Sequence, residues 1–146
     1  MDALKLLKQY HQKVKELFHA MTHTADQTKR KALFDEIDAQ LQSYSHSEET
    51  VFYPVIEEHS ELKEMVDDVR AQHEEVRNRL DELEDLGSDN HDFGSRLQLL
   101  MDAVEQHIEE EETDMFPRVR EIFAEDELEK LGQRLESAKD VARTRG

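Results

Sequence analysis

The chain has 146 residues, enough for one domain with a sizeable core. It is 36% hydrophobic and 38% charged with four glycines and two prolines, a balance that favours long helices over sheet. A net charge of −17 argues against nucleic acid and anionic membranes, and the absence of cysteine rules out disulfides, thiolate zinc sites, iron–sulfur clusters and thiol catalysis.

No apolar signal run opens the chain and no stretch approaches transmembrane length, which points to a soluble, cytoplasmic protein. The first predicted helix runs from about Asp2 to His23. Its apolar stripe, Leu4, Leu7, Val14, Phe18 and Met21, also carries His11. A polar stretch from Thr22 to Thr28 makes the first turn, with Thr24 or Thr28 as N-cap. The second helix reaches about His59 on the stripe Ile37, Leu41, Tyr44, Glu48, Val51 or Phe52, and Val55. A carboxylate inside an apolar stripe is costly unless something compensates its charge. Pro54 lies inside this helix and is expected to kink it.

Ser60 is positioned to cap a third helix that extends to about Leu86. Its stripe is Leu62, Val66, Val69, His73, Val76, Leu80 and Leu83. Shifted by 62 residues this stripe overlays the first, with His73 falling on His11. Gly87 to Gly94 is a loop. The fourth helix starts near Ser95 and carries Leu97, Leu100, Val104, His107, Glu111 and Met115, with Pro117 where Pro54 stands in the second. Setting Pro54 on Pro117, 63 residues apart, puts Glu48 on Glu111, Thr50 on Thr113, Tyr53 on Phe116 and Tyr44 on His107. The chain therefore reads as two copies of one helical hairpin. A last charged segment, about 125–142, has Leu128, Leu131 and Leu135 at helical spacing, with a frayed tail after Val141.

These elements make an all-α fold: an up-down-up-down four-helix bundle over about residues 2–122 with a short C-terminal accessory helix, one domain over 1–146. In it His11, Tyr44, Glu48, His73, His107 and Glu111 sit on core stripes near mid-helix and converge on one level. Two buried carboxylates need protons or cations, and the inward stripes hold no Lys or Arg at that level. A metal resolves the conflict. Nitrogen and oxygen donors without thiolate suit iron or manganese, with zinc as a competitor.

The set YHQKVKELF, EETVFYP, QHEEV and HIEEEETDMFP resembles the hemerythrin-like HHE-domain family across nearly all of residues 1–120. That resemblance implies a non-haem di-iron centre with bridging carboxylates and a solvent-derived bridge. It assigns ligand roles to His11, Glu48, His73, His107 and Glu111. On the second helix the family has a histidine where this chain has Tyr44, with His46 two residues on. Tyr44 keeps the inward face, whereas His46 lies about 200° away around an ideal helix, so Tyr44 is the preferred sixth ligand and His46 the alternative. A further alternative has Tyr44 only packing beside the metals. His19, His23, His59 and His91 read as non-ligands, and Tyr10 and Tyr53 as packing or supporting residues. Glu49, Glu109, Glu110 and Glu112 read as a solvated face.

The resemblance implies a small-molecule partner: dioxygen, hydrogen peroxide or nitric oxide. A phenolate stabilises ferric iron and works against reversible oxygen carriage, so catalase-like peroxide breakdown is the preferred expectation. The alternative is a non-catalytic protein that binds or senses oxygen or iron.

Overall fold

Helix α1 (Ala3–Thr22) begins where the Asp2 carboxylate accepts the Lys5 N–H at 2.9 Å, a side-chain cap on otherwise orphaned amides. Arg120 lies 3.4 Å from the same carboxylate and ties this end to the fourth helix. The computed structural model describes residues 1–87 and 89–145, with 140–145 described by backbone alone. At the far end of α1 the Thr24 hydroxyl donates to the Ala20 carbonyl. That occupies Thr24, and α2 (Gln27–Ser47) is capped instead by Asp26, which accepts the Thr28 and Lys29 amides at 2.9 and 3.4 Å. The expected threonine cap is thus an aspartate, whose charge also suits the positive end of the helix.

At each proline the helix departs from α-helical geometry. α2 passes without a break into a π-helical turn, Glu48–Phe52, and then a final α-helical turn, Tyr53–Ile56. The fourth helix repeats this 63 residues later: α4 (Phe93–Glu110) continues through a π-helical turn, Glu111–Met115, into Phe116–Ile122. In both, the closing hydrogen bond spans five residues, from Tyr53 N–H to the Glu48 carbonyl and from Phe116 N–H to the Glu111 carbonyl. Pro54 and Pro117 each follow directly. With no N–H to give, they leave the preceding helix without its α-type partner. Thr50 and Thr113 donate their hydroxyls to the His46 and Glu109 carbonyls, both at 2.7 Å, and hold the two turns alike. The extra residue advances the inward face by one, so Ile56 is buried and Val55 only half-buried.

Helix α2 with its extensions stops at Ile56, short of the expected His59. His59 is the extended residue before α3 (Ser60–Leu86), so Ser60 is the first helical residue and not its cap. The His59 ring packs on Phe123 at 4.8 Å, which leaves the cap position without a side-chain bond. Gly87, at φ 83°, ends α3 in a conformation closed to most side chains. Of the predicted 87–94 loop, Ser88 lies outside the described residues, and α4 opens at Phe93 rather than Ser95.

A C-terminal helix, α5 (Glu125–Arg145), packs against α1 and α2 with Leu128, Leu131 and Leu135 buried. Its backbone stays helical through the tail expected to fray, and Gly146 lies outside the described residues. Gly132 lets α5 touch the N-terminus, because a Cβ there would run into the Met1 carbonyl and the Ala3 amide.

The helices α1 to α4 form the bundle, with turns at 23–26, 57–59 and 89–92 among the described residues. Its apolar interior is in two parts. One, beside α5, gathers Leu4, Leu7, Phe52, Ile56, Val66 and Val119. The other gathers Val14, Phe18, Ile37, Leu41, Leu80 and Leu100. His11 and His73 lie between them, each one turn from both parts. The level where the two meet is polar and buried.

Candidate metal centre

All six predicted site residues lie at that level, and five of them bring their donor atoms together there. His11, Glu48, His73, His107 and Glu111 are each at most 4% exposed, and the two glutamates are fully buried. Glu48, His73, His107 and Glu111 each offer a donor atom within 4.8 Å of the others, a group able to hold a cation. His11 Nε2 lies 3.2 Å from Glu111 Oε1 and joins that group from α1. His107 Nε2 lies 3.2 Å from Glu111 Oε2 and His73 Nε2 3.4 Å from Glu48 Oε1. The His73 and His107 Nε2 atoms face each other at 3.0 Å.

A second layer points these rings inward. His11 Nδ1 donates to Glu112 Oε2 at 2.9 Å, and His107 Nδ1 donates to Gln72 Oε1 at 3.1 Å. Gln72 is itself held by a hydrogen bond from its amide to Glu110. His73 Nδ1 lies 3.4 Å from Glu49 Oε1, which also meets Arg77 at 3.2 Å through its other oxygen. An imidazole that gives its outer N–H to a carboxylate or amide presents a lone pair on Nε2, the arrangement found around protein metal ligands. Glu49 and Glu112 are therefore not the solvated face expected of them. They are about 31% and 28% exposed because each reaches across to a histidine on the adjacent helix.

The two phenols at this level behave differently. Tyr44 is buried and lies edge-on to His11 and His73, ring centres at 5.9 and 6.3 Å. Tyr53, read from sequence as a packing or supporting residue, brings its oxygen into the cluster. It is 2.9 Å from Glu48 Oε2, 2.5 Å from Glu111 Oε2 and 3.0 Å from His73 Nε2. The π-helical turn does this. Residues five apart sit about 140° apart on an α-helix, but a bond from residue 53 to residue 48 stacks them one turn apart. The signal in the sequence was the paired Thr-x-x-x-Pro spacing, Thr50/Pro54 and Thr113/Pro117. His46 is exposed, as its rotation on α2 predicts, and His19, His23 and His91 are exposed as well.

The electrostatics follow from packing these charges away from water. Burial alone would lower the His107 pKa, but Glu111 and Glu48 outweigh it and push it up to about 10. Burial likewise opposes charge on His11, yet Glu111 and Glu112 raise it to about 9. His73 moves the same way through Glu48 and Glu49. Burial would raise Glu111, while His107 and His11 hold it well below the ordinary carboxylate range. Burial, Glu111 and Glu48 all push the Tyr53 phenol well above its usual value, and burial with the same two glutamates does so for Tyr44. Neither phenol ionises here unless a cation stands beside its oxygen.

The donor set fits a metal. His11 Nε2, Glu48 Oε1 and Glu111 Oε1 are buried and make no hydrogen bond. An orphaned buried polar atom is costly, and three such atoms on one centre, two carboxylate oxygens and an imidazole nitrogen, are what a shared cation would satisfy. All are nitrogen or oxygen, a set for hard to borderline metals.

The sequence model of the hemerythrin HHE cation binding domain matches residues 2–119. A crystal structure of a hemerythrin HHE cation binding domain-containing protein from Mycobacterium kansasii superposes with a TM-score of 0.88 at 25% identity, over 99% of this chain and 88% of that one. A DNA nickase of Nostoc sp. is 23% identical over 99% of this chain but only 41% of its own length. An uncharacterized hemerythrin-like protein of Schizosaccharomyces pombe is 29% identical over 72% of this chain and 53% of its own. The chain thus spans about half or less of the curated relatives it matches.

Proposed function

The chain belongs to the hemerythrin HHE cation-binding family, and we propose that its buried cluster holds two iron ions and breaks down hydrogen peroxide. His11, Glu48, His73, His107 and Glu111 would hold the metals, with a phenol as the sixth donor and manganese or zinc able to substitute. Of the two phenols, Tyr53 is favoured over the expected Tyr44, because its oxygen already stands within hydrogen-bond reach of both glutamates and of His73. That juxtaposition carries the reading. A phenol donor stabilises the ferric state and so favours redox cycling over reversible oxygen carriage.

When bound, the iron pair supplies the two-electron exchange by which one peroxide is reduced to water and a second is oxidised to dioxygen. The protein's share is placement. Glu48 and Glu111 set the spacing from two different helices, and Glu112 and Gln72 fix the ring orientation of His11 and His107. Until a cation stands beside it, Tyr53 Oη keeps its proton between the two carboxylates. Phe52, Phe116 and Tyr44 pack as buried rings around the cluster.

The test is oxygen evolution from peroxide by iron-loaded protein, with metal analysis and a visible spectrum of wild type, Tyr44→Phe and Tyr53→Phe. Oxygen evolution and a phenolate band lost only in Tyr53→Phe are expected. A band lost in Tyr44→Phe instead would restore Tyr44 as the donor. A reduced protein that forms a dioxygen adduct reversed under vacuum, and evolves nothing from peroxide, would sink the peroxide reading.

A further inference from the structure

Each ligand histidine on the odd-numbered helices has the same neighbours. His73 meets Glu49, which meets Arg77; His11 meets Glu112, whose charge feels Lys15. Arg77 and Lys15 stand four residues beyond their histidines, and Glu49 and Glu112 one residue beyond the buried glutamates. Beside these matched groups, however, the two flanks differ. Between α2 and α3 lies a cavity of about 200 Å³ whose walls include His73. Its inner wall is buried Leu41, Val76 and Leu80, and its mouth is Ser45, Glu49 and Arg77 with exposed His46. On the matching flank of α4 the hollow near Lys15, Glu109 and Glu112 includes no residue of the cluster in its lining. Ile108, 2% exposed, stands there at the position Ser45 occupies in the first hairpin.

We propose that the cavity between α2 and α3 is the port by which small oxidants reach the cluster, with the Glu49–Arg77 pair as its gate. The hollow on the matching flank, lined by Ile108 where the first hairpin has Ser45, borders none of the cluster's residues and so offers no such path. The size sets the substrate class. A cavity of about 200 Å³ falls below the ~300 Å³ at which sites for drug-sized ligands begin. It has room for hydrogen peroxide or a triatomic anion. The wall chemistry agrees, since Arg77 and Ser45 offer donors at the mouth while the interior is aliphatic. This inference rests on reading the cluster as a metal centre open to small oxidants.

The experiment follows azide binding to the iron-loaded protein by its visible spectrum in a stopped-flow instrument, which reads access without turnover. Ser45→Ile, which copies the matching flank, is expected to slow azide association tenfold or more with metal content, unliganded spectrum and melting temperature unchanged. Arg77→Ala, on an exposed side chain, is expected to speed it several-fold and decides the matter if Ser45→Ile does not fold. Two variants with wild-type association rates would overturn the port, as would a wild-type spectrum that azide leaves unchanged. A wild type that takes up azide, responds to both substitutions and yet evolves no oxygen from peroxide would instead remove the peroxide reading and leave the port standing.

Discussion

In the first hairpin the residues that meet the cluster from its second helix are Tyr44, Glu48 and Tyr53; in the second the matching residues are His107, Glu111 and Phe116. The frame around them is shared: a π-helical turn after each glutamate, a threonine hydroxyl on a carbonyl four residues back, and a proline beyond. On that common frame, Phe116 stacks under His11 with ring centres 6.0 Å apart and planes within 4°, whereas Tyr53 turns a hydroxyl into the cluster. The repeated frame supplies the scaffold, and one oxygen atom on one ring separates a packing residue from one that hydrogen-bonds into the cluster. The same frame holds an imidazole in one half and a phenol in the other, which is how a doubled fold acquires an asymmetric site.

The sharpest way to break the comparison is to remove the two matched glutamates in turn. Glu111→Ala and Glu48→Ala are both expected to abolish metal binding by elemental analysis. In chelator-treated protein Glu111→Ala should cost more, about 3–5 kcal/mol by denaturant titration, because Glu111 faces two imidazoles at 3.2 Å and Glu48 approaches its nearest at 3.4 Å. Equal losses would mean the halves are electrostatically interchangeable.

Next comes pH. His11 and His107 are raised to about 9 and about 10 from an ordinary 6.5. A raised histidine adds stability that is complete below about pH 6.5 and is lost as pH climbs through the folded value. Chelator-treated protein should therefore melt progressively lower between about pH 7 and pH 10. Metal-loaded protein should run the other way at the acid end, because protons compete with the cation for the same nitrogens. Melting curves that coincide with and without metal would discard this account.

Glu49→Gln and Glu112→Gln test the outer layer. Glu112→Gln should weaken metal binding about 10–100-fold in a competition titration and Glu49→Gln less, since Glu112 hydrogen-bonds His11 Nδ1 at 2.9 Å whereas Glu49 stands 3.4 Å from His73 Nδ1. The smallest effect is expected from Phe116→Tyr, which makes the halves alike at that position. Its hydroxyl would enter an apolar contact beneath His11, and a cost of about 1–3 kcal/mol should appear in the melting of the metal-free protein.

Much of this was legible in the chain before folding. The apolar spacing of three and four, interrupted by His11, His73 and His107 at repeating positions, identified the helices, their inner faces and five of the cluster's residues. Such periodicity is a local property, so the amino-acid order states it outright. What the order did not state was the role of Tyr53. On an α-helix it falls off the face of Glu48, and the i→i+5 turn that realigns the two depends on how a proline-interrupted helix packs against its neighbours. Glu49 and Glu112 were misread for a related reason. Each lies beside a buried glutamate on its own helix, and its partner is a histidine on another.

By itself, then, the sequence determined the bundle, the duplication and the level at which imidazoles and carboxylates meet, because each is written in spacing along one helix. Tertiary structure alone decided which phenol enters the cluster, which carboxylates stand behind the histidines and which flank's hollow is lined by one of them. Those depend on distances between helices, and no single helix encodes a distance to its neighbour.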